Sequence, residues 1–286
     1  MFTKEKRYYI YLLMVLILFG TGCGNSVEAV SMNSEDITAI DENELLYITD
    51  IDLTTEYTEP EYIDLNQSDE EVLIGNGGEY VLTGEGNQTV TIDAHDELVH
   101  LILNNASIAT AVGPAINVES AGKVVITLPE GTMNTLFDAA YYKNEDLDAS
   151  IMANCDLTVN GPGTLYVCGY YKDAIHTKDV FKVLGSTLQL KAKRYGIRAN
   201  DGMVIEPEYL LIESEKNGCQ TTNANKEGKG IIDIRGGEIS IVSGQYALSA
   251  VADIYIREGA VYLNSVVGDI YTEGRQYIAE GVLADE

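Results

Sequence analysis

The chain has 286 residues, 45% of them hydrophobic, with 19 Tyr, 4 Phe and no Trp. Its 18 basic and 45 acidic residues leave a formal charge of −27, which excludes nucleic acid as a partner because phosphate binding needs a basic footprint. The length suffices for one substantial, elongated domain.

The N-terminus reads as an export signal. Lys4, Lys6 and Arg7 form a basic region, Tyr8 to Phe19 is a continuous apolar run, and Gly20-Thr21-Gly22 leads to Cys23. The apolar run is too short to span a bilayer comfortably. The pattern resembles a bacterial lipoprotein signal, although Gly20 stands where such signals usually carry Leu. Residues 1–22 are therefore expected to be removed and Cys23 to carry lipid, placing the protein outside a Gram-positive-type cell, anchored to the membrane. Residues 23–71 contain no Lys or Arg and many acids, among them Glu35, Asp36, Asp41, Glu56 and Glu71. Such a run self-repels, and an extended acidic linker is expected there.

From Val72 the pattern changes to short β-type runs bounded by Gly, Asn, Asp or Ser. Examples are Glu79-Tyr80-Val81-Leu82-Thr83, Thr89-Val90-Thr91-Ile92 and Lys123-Val124-Val125-Ile126-Thr127-Leu128, each with period-2 alternation. In the C-terminal half one turn recurs, with central apolar residues at Ile175, Ile197, Cys219, Leu248 and Ile270, separated by 22, 22, 29 and 22 residues. The long gap holds the insert Ala224–Gly230. A coil of 22 residues accommodates three short strands and three turns. Stacked coils place equivalent residues one above another, so inward positions become apolar ladders. Ile151, Ile175, Ile197, Cys219, Leu248 and Ile270 are the clearest ladder, with Ile116 beginning it below an insertion at roughly 134–149. The expected architecture for residues 72–286 is all-β, a right-handed single-stranded parallel β-helix.

Within that frame, Val99-His100-Leu101-Ile102-Leu103-Asn104-Asn105, Gly113-Pro114-Ala115-Ile116, Asp156-Leu157-Thr158-Val159-Asn160-Gly161 and above all Lys123-Val124-Val125-Ile126-Thr127-Leu128-Pro129-Glu130-Gly131-Thr132-Met133-Asn134-Thr135-Leu136 resemble a family of bacterial cell-surface carbohydrate-binding proteins. Members are often lipoproteins with a β-helix like that of pectate lyases. The resemblance implies calcium-dependent binding of cellulose or acidic pectin-type glycans, without established catalysis.

Function in a stacked fold shows as rows. Asp179, Asp201 and Asn223 recur in phase, and neighbouring carboxylates repel unless compensated. A calcium ion with oxygen ligands would do so, and so would turn N–H groups. Asp173 keeps the Asp-Ala-Ile turn of the family pattern, whereas Tyr195 and Tyr246 depart from it. Asp173, Asp179, Asp201 and Asn223 are thus the expected calcium ligands. A second row, Lys172, Arg194 and Lys216, is cationic, with Arg198 nearby and Tyr171 and Tyr195 along the same edge. Such a stripe suits uronate carboxylates, and Tyr rings suit the apolar face of a pyranose. It equally suits a solvated ridge that neutralises adjacent acids. The leading expectation is a non-catalytic, monomeric polysaccharide-binding protein. The alternatives are a uronate lyase, for which Arg198 is the one nominated base, and a structural surface spacer or adhesin. Cys155, Cys168 and Cys219 are expected as free, buried thiols without zinc spacing.

Overall fold

Alternating apolar residues and turn punctuation produce the expected winding. The computed structural model describes residues 46–67, 71–225 and 227–284. The signal, Cys23 and residues 23–45 lie outside them. The fold is a parallel β-helix whose coils each contribute one strand to each of three faces. Face one is a nine-stranded sheet that includes Val72–Ile74, Val90–Asp93, Ile116–Ser120, Ala149–Ala153, Asp173–Thr177, Ile197–Ala199, Cys219–Thr221, Tyr246–Ala250 and Gly268–Thr272. Faces two and three form one 16-stranded sheet. They merge because Leu98–Ala109 runs through the corner, pairing with Lys123–Thr127 on one side and Met133–Phe137 on the other. Asn105, with φ of 57°, sits at that corner, in the left-handed conformation that Asn tolerates better than most residues.

Among the described residues the strand pairings are parallel, with register shifts only at Leu82/Gly84 and Ile92/Asp93, so the ladder is literal. Val72, Val90, Ile116, Ile151, Ile175, Ile197, Cys219, Leu248 and Ile270 lie above one another through successive layers. Facing ladders come from Val124, Leu157, Phe181 and Met203 on face two and from Leu136, Val167, Leu190, Ile212 and Ile241 on face three. These residues pack into one core. Burial pushes the Cys155 and Cys219 thiols up to about 12, so both behave as small apolar residues. Cys155, Cys168 and Cys219 are free and buried.

Two boundaries differ from expectation. Met133–Phe137 is a strand of the stack, so the insertion is shorter than read from sequence and begins at Asp138. The acidic stretch is not a spacer up to residue 71. Leu46 to Gln67 form a strap that crosses the outer side of face two. Leu46 is fully buried among Val180, Leu184, Val204 and Ile231. A single helical turn, Asp50–Leu53, follows, with Thr49 and Asp52 forming a capping box, which satisfies orphan amides at both ends of the motif. Glu61–Asp64 then pairs in parallel with Tyr80–Thr83.

The strap holds because face two presents polar residues where a water-facing wall would need no partner. Asp52 is fully buried. It pairs with Lys123 and with Lys182, the latter at 3.0 Å, and accepts a hydrogen bond from Thr158 Oγ1 at 2.5 Å. Asn160 Nδ2 donates to the Asp52 and Thr54 carbonyls at 2.8 Å each. Burial alone would raise the Asp52 carboxyl, but the bonds from Lys123, Thr158, the Thr49 amide and Lys182 outweigh it and hold it well below the usual range. Its stabilising contribution is present above the ordinary carboxylate range and is lost as pH falls below that range towards the lowered folded value. Acids in this stretch gave an extended reading because the sequence does not show that Lys123 and Lys182 wait in the same place.

Removing one partner of a buried ion cluster leaves the other charge uncompensated. Asp52→Ala is expected to cost about 3–5 kcal/mol by urea denaturation, whereas exposed Asp50→Ala stays within about 0.5 kcal/mol. Equal small effects from both would remove the strap's assigned role.

Candidate functional site

The turns joining face three to face one carry the cationic row. The chain passes through Tyr170-Tyr171-Lys172, one layer later through Lys193-Arg194-Tyr195, then through Glu215-Lys216-Asn217. Backbone bonds tie these turns together, with the Arg194 amide donating to the Lys172 carbonyl at 2.7 Å and the Lys216 amide to that of Arg194 at 2.9 Å. The row is therefore in phase, as its spacing requires, but its side chains have different employment. Lys172 Nζ lies 4.5 Å from the Tyr171 ring centroid, and Lys216 is exposed. Arg194 turns inward. Its Nε and Nη2 each meet one Asp173 oxygen at 2.6 Å, and Nη2 also meets Asp148 at 2.5 Å. The guanidinium lies 5.0 Å from the Tyr195 ring. Arg194 is thus a structural cation rather than an exposed ligand, and the uronate role expected of it does not fit.

Asp148 closes the network from the far end of the insertion. It accepts from His176 Nδ1 at 2.5 Å and pairs with Arg198 Nη1 at 3.2 Å. Burial alone would raise its carboxyl, but His176 and Arg194 hold it well below the ordinary range. Burial likewise opposes the charge on Arg194, and Asp173 and Asp148 more than reverse that. His176 Nε2 and Arg198 Nε are buried with no hydrogen-bond partner. Arg198, nominated as a lyase base, is ion-paired with Asp148, and guanidinium gives up its proton reluctantly.

The expected calcium ligands are not brought to one place. Asp173 begins its strand, and Asp179 follows the strand's far end. Asp173 is fully buried with both oxygens on Arg194, so it has none to offer a metal. Asp201 accepts from Asn223 Nδ2 at 2.6 Å and pairs with Lys229 Nζ. Asn223 therefore points an N–H, rather than its carbonyl, at the carboxylate. Lys229 is delivered by the insert that lengthened one repeat, whose Gly230 amide bonds the Asp201 carbonyl at 2.7 Å. Burial, Asp156 and Asp201 push the Asp179 carboxyl up, against the smaller opposing pull of Lys229. The chain's own Arg194 and Lys229 occupy the places a calcium ion was expected to fill, and the four residues do not form an oxygen cage. Among the described residues, the group of three whose ligand atoms converge within 4.8 Å is Asp148, Asp173 and His176, and two arginines already neutralise it.

Sequence reading missed a groove on face three, beside the same turns. It holds a cavity of about 530 Å³ lined by Tyr170, Lys191, Lys193, Glu213, Glu215 and Val242 among others. Tyr170 is 52% exposed and Val242 44%. Phe137 adjoins Tyr170 with ring centroids 6.2 Å apart, and Tyr166 meets Phe137 edge-on at 5.6 Å. The three rings form a cluster of inclined aromatics, of which Tyr170 lines the groove. The available signal was the outward phase of the face-three strands, since Leu165 and Val167 point inward and Tyr166 between them points out.

The turn bearing Tyr170 is fixed to the insertion through Asp138. Its Oδ1 accepts the Tyr170 amide at 2.5 Å, and its Oδ2 accepts the Tyr142 hydroxyl at 2.8 Å and the Tyr171 amide at 3.4 Å. Tyr142 stacks on Tyr171, with centroids 4.5 Å apart at 18°. Burial pushes Asp138 up to about 6, against the pull of these donors.

The architecture and the groove together define the class, a parallel β-helix with a polysaccharide-lyase-like fold. A solved structure, described as the polysaccharide lyase-like protein from C. thermocellum, gadolinium derivative, is 26% identical with a TM-score of 0.75, covering 79% of this chain and 99% of that one. Residues 68–285 match the family described as carbohydrate-binding domain-containing protein, and the chain belongs to that family. A carbohydrate-binding domain-containing protein of Acetivibrio thermocellus is 29% identical over 282 residues, covering 95% of this chain and 94% of the relative.

Asp138 gives a pH signature. Its folded value exceeds its unfolded one, so its stabilising share is complete below about 4 and is lost as pH rises towards about 6. Thermal melts of wild type and Asp138→Asn across this window are expected to show the variant gaining ~2–3 kcal/mol relative to wild type by pH 7. A constant difference would refute the assignment.

Proposed function

We propose that this is an extracellular, surface-anchored protein that captures polysaccharide without cleaving it, taking cellulose-like or acidic pectin-type chains along face three. The observation that carries this reading is the groove of about 530 Å³ lined by exposed Tyr170, with Phe137 and Tyr166 clustered behind it. Aromatic rings cover the apolar face of a sugar, and polar groups beside them take its hydroxyls. Lys191 pairs at 3.7 Å with Glu213 of the neighbouring strand, Lys193 and Glu215 also line the groove, and Lys172 and Lys216 stand on the adjoining turns. A neutral chain suits the floor, and uronates suit the lysine edge. Membership of the carbohydrate-binding family and the likeness to a polysaccharide lyase-like protein support the ligand class. The Cys23 motif supports the anchor, with the membrane as the second partner and a monomeric domain as the binding unit. Calcium dependence enters as a condition to be measured.

Retention on cellulose and on polygalacturonate, each with calcium or with chelator, tests the reading. Wild type is expected to be retained on at least one polymer. Tyr170→Ala combined with Lys191→Ala is expected to weaken retention about tenfold, or ~1.4 kcal/mol. Loss only with Lys172→Glu and Lys216→Glu would move the site from the groove to the lysine edge. No retention on any polysaccharide ends the proposal. Cys23→Ala is expected to release the protein into the medium.

A further inference from the structure

Face one carries a second cavity, of about 230 Å³, that the groove does not reach. Its floor is the outward row of the early coils, where Thr91 and Asn117 lie in register and are both nearly buried. Glu71 and Glu119 flank them, and the turn at Gly113-Pro114 forms one wall. The roof is the insertion, through Tyr142, Lys143, Asn144 and Leu147.

This cavity is built rather than incidental. Tyr142 is held by Asp138, by the Ala149 carbonyl at 2.8 Å and by the Tyr171 ring. The Ala139 amide bonds the Gly113 carbonyl at 3.2 Å, tying roof to wall. Glu71 is held through Oε1 by the Thr91 hydroxyl at 2.5 Å, and Glu119 through Oε1 by Asn117 Nδ2 at 3.2 Å. Among the described residues the second oxygen of each carboxylate has no hydrogen-bond partner, and it can accept a hydroxyl.

Resting on the carbohydrate reading above, we propose that this pocket between the insertion and face one is a separate binding site for a single neutral, hydroxyl-rich sugar unit, a chain end or a branch. The size selects one ring, because pockets for larger ligands run from about 300 to 1,000 Å³. The charge selects neutrality. Two carboxylates against one lysine repel a uronate or a phosphate but accept the hydroxyl protons of a neutral sugar through charge-assisted bonds. Asn117 and Asn144 supply amides, while Leu147 and the exposed Val112 supply the apolar side that a pyranose also needs.

The test uses the full exported chain. Proton–nitrogen spectra are recorded while glucose, xylose, galactose, their neutral disaccharides, digalacturonate and calcium chloride are titrated in turn. A neutral sugar is expected to shift amides around Asn117, Gly113 and Asn144, and digalacturonate is not. Glu119→Gln is expected to weaken the neutral sugar at least tenfold while polymer retention by the groove is kept. Asn117 is buried, so Lys143→Glu on the exposed rim serves as the second variant, and thermal melts verify folding of both. Polymer retention with no neutral sugar shifting these amides overturns this inference alone. So does stronger binding of digalacturonate, or shifts produced there by calcium only. Absence of both polymer retention and sugar shifts overturns the carbohydrate reading as well.

Discussion

Parallel stacking in register sets the terms for the whole molecule, because each side chain lies about 4.8 Å from its counterpart in the next layer. For apolar residues that spacing is ideal, and the ladder from Val72 to Ile270 uses it through every layer of face one. For charges it is costly, since like meets like at short range in a partly desolvated wall. Every charged row must therefore be broken or answered from elsewhere. Arg194 is answered by Asp173 and Asp148, Asp201 by Asn223 and Lys229, and Asp233 by Arg235 and Arg257. On face two, Lys123 and Lys182 are answered by Asp52.

Three of the answering groups come from outside the regular coils, whereas Asp173, Arg235 and Arg257 belong to them. Asp148 belongs to the insertion, Lys229 to the loop that lengthens one coil, and Asp52 to the strap. These departures from the repeat each supply a charge of opposite sign at a chosen layer. The same departures shape the surface. The insertion roofs the polar pocket on face one and, through Asp138, fixes the turn bearing Tyr170. The groove on face three owes its outward Phe137 and Tyr166 neighbours to strand alternation, and the position of its Tyr170 to Asp138 of the insertion.

This division explains what could be read in advance. The ladder was legible because burial forces apolar residues into a fixed phase, and Ile175, Ile197 and Cys219 stood 22 residues apart. The cationic row was legible for the same reason. Its use was not. Spacing places Arg194 one coil from Lys172 but is silent about Asp148, which reaches it across 46 residues. Asp173 entered the expected calcium ligands through the Asp-Ala-Ile turn and Asp179 through its 22-residue phase with Asp201, with calcium expected at one or more turns. Asp173 and Asp179 lie at opposite ends of a strand, and only three dimensions separate them. The strap was illegible because acids without nearby cations read as self-repelling, whereas Lys123 and Lys182 are distant in sequence and adjacent in space.

The strap also changes how the stack holds together. A solenoid's stability is approximately a sum of terms within layers and between neighbours, so ends and middles can open separately. Leu46 and its carbonyl engage Ile231 and Arg235, while Asp52 engages Lys182, Thr158 and Lys123 on successive layers towards the N-terminal end. Glu61–Asp64 then joins the edge of Gly78–Gly86. One continuous segment therefore makes contacts that no nearest-neighbour term contains. Opening any single layer beneath it exposes Asp52 or Leu46 as well, so the layers from Lys123 to Arg235 gain a shared cost of opening. That coupling gives the groove and pocket on the other two faces a rigid frame, which a preorganised sugar site requires.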